Sequence, residues 1–460
     1  MPEPSTNKTK TPLNKGVYGM CRWLKGFADG VYIDRHACDA AFARMHQRDA
    51  IGDKIHLFFG LGAMIALFGP VTMTELSVAP LVVFFFVRVV NTFPLWIHGF
   101  GQPLMLAVLV LVGWMFIGLI WSPDPVSGLE EIGRLRWFLA IGLLFPIIEQ
   151  RTKLIYAMCI GLALGQIGQV LDGFDGFGFG PIAALVENHP GRIAGWWHPV
   201  IAGDLLVAAM GLHLPAAAMG RGRTRIIGVL GLTLSGVGVL ATGTRGAWVA
   251  ALLLLMVGGL LVVRVRRVPM RRVLAITALV LVAAGITGLA LRDSITIRID
   301  ETRAELAEIR VGELDSYSGL RVRMAQQALD AFATHPILGV GTGGYERWCE
   351  LHAGGGHGAH AHNSVLHTGA TLGLVGLVLW ALVLFVALRC AWRWGQSCAG
   401  NPYALGPLLG IAGLLLASIS DSVHINLQSV AMLGMLAGLC PAYASNTPPP
   451  VGTDTGDADG

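Results

Sequence analysis

Apolar residues run through this chain in long blocks separated by short polar segments, with none of the two-residue alternation that marks a membrane barrel. A helix needs about 20 mostly apolar residues to cross roughly 30 Å of hydrocarbon. Twelve stretches meet or approach that length: Ile55–Met73, Leu76–Val90, Pro103–Trp121, Trp137–Ile148, Leu154–Leu171, Val200–Met219, Ile226–Thr242, Gly246–Val263, Val273–Leu291, Ser364–Leu388, Ala404–Ser420 and Leu427–Tyr443. Three polar segments between them are long enough to build something, Ser122–Arg136, Asp172–Pro199 and Arg292–Asn363. The last predicts two helices, a charged one over Asp300–Arg310 and a second over Gly319–Thr334. In the second, Leu320, Met324, Ala328 and Phe332 recur at helical spacing. His335-Pro336 ends it, the turn Gly339–Gly344 follows, and a His-rich strip runs from His352 to His367.

Composition agrees with the pattern. Only 13% of the 460 residues are charged and the mean hydropathy is +0.62. So few charges cannot cover a water-soluble enzyme, and a net charge of +4 without a dense basic patch argues against nucleic acid. The reading is an all-α polytopic integral membrane protein of about twelve spans. Residues 1–54 carry nine Lys or Arg and no signal-type apolar core, so they are expected in the cytoplasm. Residues 55–291 hold spans one to nine, 292–363 form an outer helical segment, 364–443 hold the last three spans, and 444–460 read as a disordered cytoplasmic tail. Threaded this way, 21 of the 33 basic residues fall on the cytoplasmic side, as the positive-inside rule requires, and both termini lie there. The remaining twelve are all arginine, the cation best shaped for phosphate. A genome-wide preference for Arg over Lys accounts for the same count. Of the seven cysteines only Cys349 faces outwards, so no structural disulfide is expected.

Four outer features carry candidate chemistry. Arg245, in Thr242-Gly243-Thr244-Arg245-Gly246, is either an interfacial anchor or a cation that glycines let a lipid-linked anion approach. Arg321 and Arg323 open the second outer helix, where cations oppose the dipole unless an anion binds there; an exposed surface role suits Arg323 better than Arg321. His362 stands just before Asn363-Ser364, a good N-cap for the tenth span, and the positive helix end favours neutral imidazole, the form of a general base. His357, His360 and His362 also invite a metal, but the strip holds no carboxylate and its glycines do not preorganise ligands. Arg192 and the intramembrane Arg88 are further phosphate candidates. No cofactor is called for.

Several of these runs resemble one family. Arg321…Ala328-Leu329…His335-Pro336-Ile337-Leu338-Gly339-Val340-Gly341-Thr342-Gly343, then Ala361-His362-Asn363-Ser364-Val365-Leu366 and Leu372–Gly376, look like the signature of the O-antigen ligase and polymerase superfamily. Thr242–Gly246 is similar to its Ser/Thr-Arg-Gly motif, Trp121–Pro125 to the loop after an early span, and Gly191–Pro199 to its Arg-x-x-Gly stretch. Thr244 departs from the family's usual Ser, and the Gly/His strip is unusually small and polar. The resemblance implies a membrane glycosyltransferase of GT-C-like kind in a Gram-negative inner membrane. Its donor would be an O-antigen on undecaprenyl diphosphate, its acceptor a lipid A-core sugar at the periplasmic face, with membrane lipid around it. By motif, His362, Arg245 and Arg321 would be catalytic, and Arg192, Arg88 and Arg323 are taken as diphosphate-binding. The residues support this independently, since two or three arginines can neutralise a leaving diphosphate without metal and no Asp-x-Asp motif is present. An O-antigen polymerase and a protein O-oligosaccharyltransferase differ from a ligase only in acceptor. A secondary transporter is the distant alternative, against which stand the lack of repeated halves and the clustering of ionisable residues at the outer face rather than at mid-depth.

Overall fold

A computed structural model of the chain describes residues 35–173, 192–352 and 360–441. The basic start of the N-terminal segment, the tail after Tyr443, and Gly191 and His357 of the predicted motifs lie outside these residues. Every regular element among the described residues is helical, in agreement with the all-α expectation. The chain forms α1 (Arg35–Arg48), α2 (Ala50–Ala66), α3 (Val71–Val87), α4 (Val89–Phe100), α5 (Pro103–Gly118) and α6 (Pro125–Arg134). A short α7 (Ala140–Leu143) and the long α8 (Arg151–Gly173) are followed by α9 (Pro199–Met219), α10 (Gly222–Ala241), α11 (Arg245–Arg266) and α12 (Met270–Ala290). Then come α13 (Arg292–Arg310), α14 (Tyr317–Thr334), α15 (Tyr345–His352), α16 (Ser364–Ser397), α17 (Gly406–Ala417) and α18 (Leu427–Gly438).

Among the described residues six helices are long and apolar enough to cross a membrane, or seven if α3 and α4, bent by 108° at Arg88, count as one span. The count of twelve stays an expectation. Three of the predicted spans are shorter apolar helices, α5, α17 and α18. A fourth, Trp137–Ile148, is no single helix. It breaks into the 3-10 turns Leu135–Leu139 and Phe145–Gln150 around α7, with Pro146 unable to donate to a helical ladder. Its backbone is drawn tightly onto α18, where a Cβ on Gly434 would lie 2.5 Å from the Trp137 carbonyl and one on Gly438 3.0 Å from that of Ala140.

α9 is the axis of the bundle. Of its apolar window 94% is buried, against 17% for α12, whose Leu274, Val282, Ile286 and Leu289 face outwards as a lipid-exposed surface. Small residues allow this central position. A Cβ on Gly211 of α9 would meet the Leu409 carbonyl of α17 at 2.3 Å, and one on Gly203 would meet Ala247 of α11 at 2.7 Å. The basic loops that set the expected topology also finish helices. Buried Arg151 donates to the carbonyls of Leu439 (3.4 Å) and Pro441 (3.0 Å) beyond α18 and stacks on Trp394 at 4.7 Å. Arg225 donates to Gly220 and Arg272 to Ala218, both at the end of α9.

At the other end of the bundle the glycine turn after α14 threads between α5, α6 and α16. Val340 and Gly341 donate their N–H groups to Ala370 and Thr371, while Thr342 Oγ1 donates to the Met115 carbonyl at 2.7 Å. The Trp121–Pro125 motif is the opposite wall. Trp121 Nε1 donates to Gly339, Ser122 Oγ donates to Thr342, and Asp124 caps α6. Helix α16 breaks at Gly373 (φ +65°), which makes room for Ile337 and lets Leu374 donate to Pro336. Gly339, Gly341 and Gly343 all have positive φ, and a Cβ at Gly341 would lie 2.4 Å from Ser122 Cα. The Gly341→Ala variant is thus expected to lose about 2 kcal/mol or more, whereas Gly400→Ala, in open space, should change stability by less than about 0.5 kcal/mol. Thermal unfolding in detergent compares the two.

Candidate functional site

The arginine cleft begins with the turn Thr242–Thr244 between α10 and α11. Gly243 takes φ +63°, and a Cβ there would press on the Arg192 side chain at 3.3 Å. Arg192 lies along this turn and donates Nε to the Thr242 carbonyl and Nη2 to Thr244 Oγ1, each at 2.8 Å. Thr244 Oγ1 in turn donates to the Pro199 carbonyl at 2.9 Å. The work falls to the hydroxyl, so Thr serves where the related family often has Ser.

Arg245 is the first residue of α11 and reaches towards α13 and α14. It donates to Thr302 and Glu305 of α13, the latter at 3.0 Å, and to Ser318 of α14 at 3.1 Å. Arg321 lies one turn into α14, over the Tyr317 ring at 5.2 Å, and donates to the Ser420 carbonyl at 3.4 Å. Arg192, Arg245, Arg298 and Arg321 together line a cleft of about 260 Å³ with Val200, Gly243, Thr244 and Tyr317. Glu305 pairs with Arg245 and Glu301 with Arg298, while the contacts of Arg192 and Arg321 are neutral oxygens and the Tyr317 ring. Burial first, then repulsion from Arg298 and Arg321, lowers the Arg192 guanidinium below its ordinary value, with Tyr317 acting against the change. Such crowding of cations in one concavity is what an anion would relieve.

His362 stands beside this cleft. Its backbone takes φ +48°, a left-handed conformation that costs a non-glycine residue about 1–3 kcal/mol. The turn is held from both sides. Asn363 caps α16 by accepting from the N–H groups of Val365 (2.9 Å) and Leu366 (3.0 Å), and its Nδ2 donates to Ile419. The Ser364 N–H donates to Ser418. The loop between α17 and α18 is thereby wrapped around the start of α16, which puts Asp421 Oδ1 3.3 Å from His362 Nδ1 and 3.8 Å from His360 Nε2. Asp421 is 1% exposed, and Asn426 donates to its other oxygen. Burial pushes the Asp421 carboxyl up, but the two imidazoles facing it outweigh burial and hold it well below the usual carboxylate range. An ionised Asp421 accepts the hydrogen bond from Nδ1–H and leaves Nε2 of His362 as the acceptor.

Ser420 and Asp421 join the two halves. The Ser420 carbonyl accepts from Arg321, and the next residue holds His362. Gly246 is the close approach that permits this, since a Cβ there would lie 1.9 Å from Ser420 Oγ. The fold thus brings together four of the six sequence candidates, His362, Arg245, Arg321 and Arg192. The other two are elsewhere. Arg323 pairs with exposed Asp315 at 2.8 Å, outside the cleft lining. Arg88 is buried at the break between α3 and α4, where it donates to Asp49 at 2.7 Å and contacts His56 at 3.0 Å. Asp49 caps the start of α2, whereas the residues after the end of α2, Phe68 and Gly69, accept from Trp196 and Gln428 at the site end. The length of α2, about 25 Å, separates Arg88 from the cleft.

Asp421, Arg298, Tyr317 and the buried pair His367–Glu131 (3.2 Å) were not among the sequence candidates. Asp421 had a signal, being the only Asp or Glu between Glu350 and Asp454 and lying between two apolar stretches. The His strip itself holds no carboxylate, as the sequence shows, and the fold supplies one 59 residues away.

No curated protein matches the chain. Residues 230–381 match the family model described as O-antigen ligase. The match takes in Arg245, Arg298, Arg321, the glycine turn and His362, while Arg192 and Asp421 lie on either side of it. That stretch, which holds most of the arginine cleft together with His362, is what the chain shares with the O-antigen ligase family.

Proposed function

We propose that the protein is an O-antigen ligase: a membrane glycosyltransferase that moves an O-antigen polysaccharide from undecaprenyl diphosphate to a sugar hydroxyl of lipid A-core at the periplasmic face of the inner membrane. The observation that carries this is the junction at Ser420–Asp421, where an arginine-lined cleft adjoins a carboxylate-held histidine. Glycosyl transfer from a diphosphate needs those two parts. His362 Nε2 takes the proton from the acceptor hydroxyl. The oxygen attacks the anomeric carbon as the bond to the diphosphate oxygen breaks, with inversion and no covalent enzyme intermediate. The electron pair leaves on the diphosphate, whose growing charge is met by Arg321 and Arg245 and, beside them, by Arg192 and Arg298. Asp421 keeps Nδ1 protonated and stabilises the imidazolium that forms.

Ligase is preferred to polymerase or protein O-oligosaccharyltransferase because of the single large late outer segment. The acceptor decides among them, and a deletion strain reads it out. A ligase deletion is expected to give rough lipopolysaccharide with accumulated lipid-linked polymer. Loss of chain length with single repeats still joined to the core identifies a polymerase instead.

The mechanism is tested with purified protein, lipid-diphosphate-linked glycan and lipid A-core. Removing the base in His362→Ala should cost about 10²–10⁴ in rate. Arg321→Ala should cost about 10²–10³, as for loss of one preorganised charge donor. Substantial transfer by His362→Ala sinks the base assignment. Transfer is expected to be undiminished in EDTA, and activity lost to chelation and restored by a divalent cation overturns the metal-free mechanism.

A further inference from the structure

His360 and His362 lie two residues apart in a tight turn, their ring centroids separated by 4.3 Å. Both direct a ring nitrogen at the same Asp421 oxygen. One ligand atom from each of the three residues lies within 4.8 Å of the others. Among the described residues His360 Nε2 is buried with no partner within hydrogen-bond distance, and it faces Asp421 Oδ1 at 3.8 Å. The second oxygen of Asp421 is held by Asn426, so its first is aimed.

We propose that His360, His362 and Asp421 form a binding site for one divalent transition-metal ion of the Zn²⁺ class, and that this ion inhibits transfer. Two imidazoles and one carboxylate are a ligand set that suits Zn²⁺ or Co²⁺ and not Mg²⁺ or Ca²⁺. Ligand bonds of about 2.0–2.2 Å require the three groups to close by only a fraction of their present spacing. A fourth position stays open to water. The consequence follows from the tautomer. Without metal, Nδ1–H of His362 donates to Asp421 and Nε2 is the base. A metal ion at Nδ1 displaces that proton and places it on Nε2, which then donates and cannot accept the acceptor's proton. The site stands on the three side chains alone; its inhibitory consequence rests on the base role proposed for His362.

The test uses the full chain in detergent, freed of metal and titrated with Co²⁺ and, separately, Mg²⁺. Expected is one Co²⁺ per chain with the strong visible absorption of a tetrahedral site, lost in His360→Asn and in His360→Ala, and no competition by Mg²⁺. In the transfer assay saturating Zn²⁺ should slow the wild type by more than about 10-fold, the scale of a lost base, and EDTA should restore it. Each variant is compared with its own rate in EDTA, and Zn²⁺ should slow the His360 variants less than about twofold, the site being gone. Failure to bind Co²⁺ stoichiometrically, or equal binding in the His360 variants, overturns the site. Tight binding with undiminished transfer overturns the inhibition and the base assignment together. Metal-free wild type that transfers no glycan at all fails the enzymatic reading alone, and Co²⁺ binding still decides the site.

Discussion

The wrapping of one loop around one helix start organises this site. Residues 418–426 close over the N-terminus of α16 through Ser364, Asn363 and Asp421, and the contacts of buried Ser364 satisfy polar groups that burial would otherwise leave orphaned. That loop gives Arg321 a carbonyl, gives His362 a carboxylate and leaves space only for a glycine at 246. A buried charge such as Asp421 is tolerated because it is hydrogen-bonded from both sides, and it cannot be removed without stranding its partners.

The strain stored nearby has the same origin. His362 adopts a left-handed backbone only because α16 is capped immediately after it and the loop is bonded on its far side. The glycine turn after α14 plays the corresponding part for the opposite wall. Its three positive-φ residues let the backbone pass within contact of Ser122, Gly128 and Thr371. That packing brings Gly343 to Glu131, whose second oxygen reaches buried His367 one turn into α16. The glycine turn thus serves to position a helix. The arginines of the cleft come from α11, α13 and α14 and from the segment of Arg192 before α9.

Long apolar runs, few charges and arginine-rich outer segments were enough to establish a helical membrane protein, because hydrocarbon tolerates no unpaired backbone and leaves helix formation a local matter. The N-cap at Asn363, the outer helix near 319–334 and three of the cleft arginines were legible for the same reason, since capping and helical spacing involve neighbours in sequence. The course of each apolar stretch was not. Whether an apolar stretch runs straight depends on what it packs against, and Trp137–Ile148 is broken where glycines of α18 approach its backbone.

Charge partners were decided by tertiary structure alone. Arg88 and Arg192 look alike in sequence as arginines among apolar residues, yet one is buried against Asp49 at one end of the bundle and the other lines the cleft at its opposite end. Asp421 becomes the partner of His362 only because two helices separated by 59 residues meet at one point. Coulomb and hydrogen-bond energies fall off over a few ångströms, so they depend on proximity that no local pattern encodes. The sequence determined which residues could carry the chemistry; the packing of α11, α14, α16 and the loop before α18 decided which of them stand together.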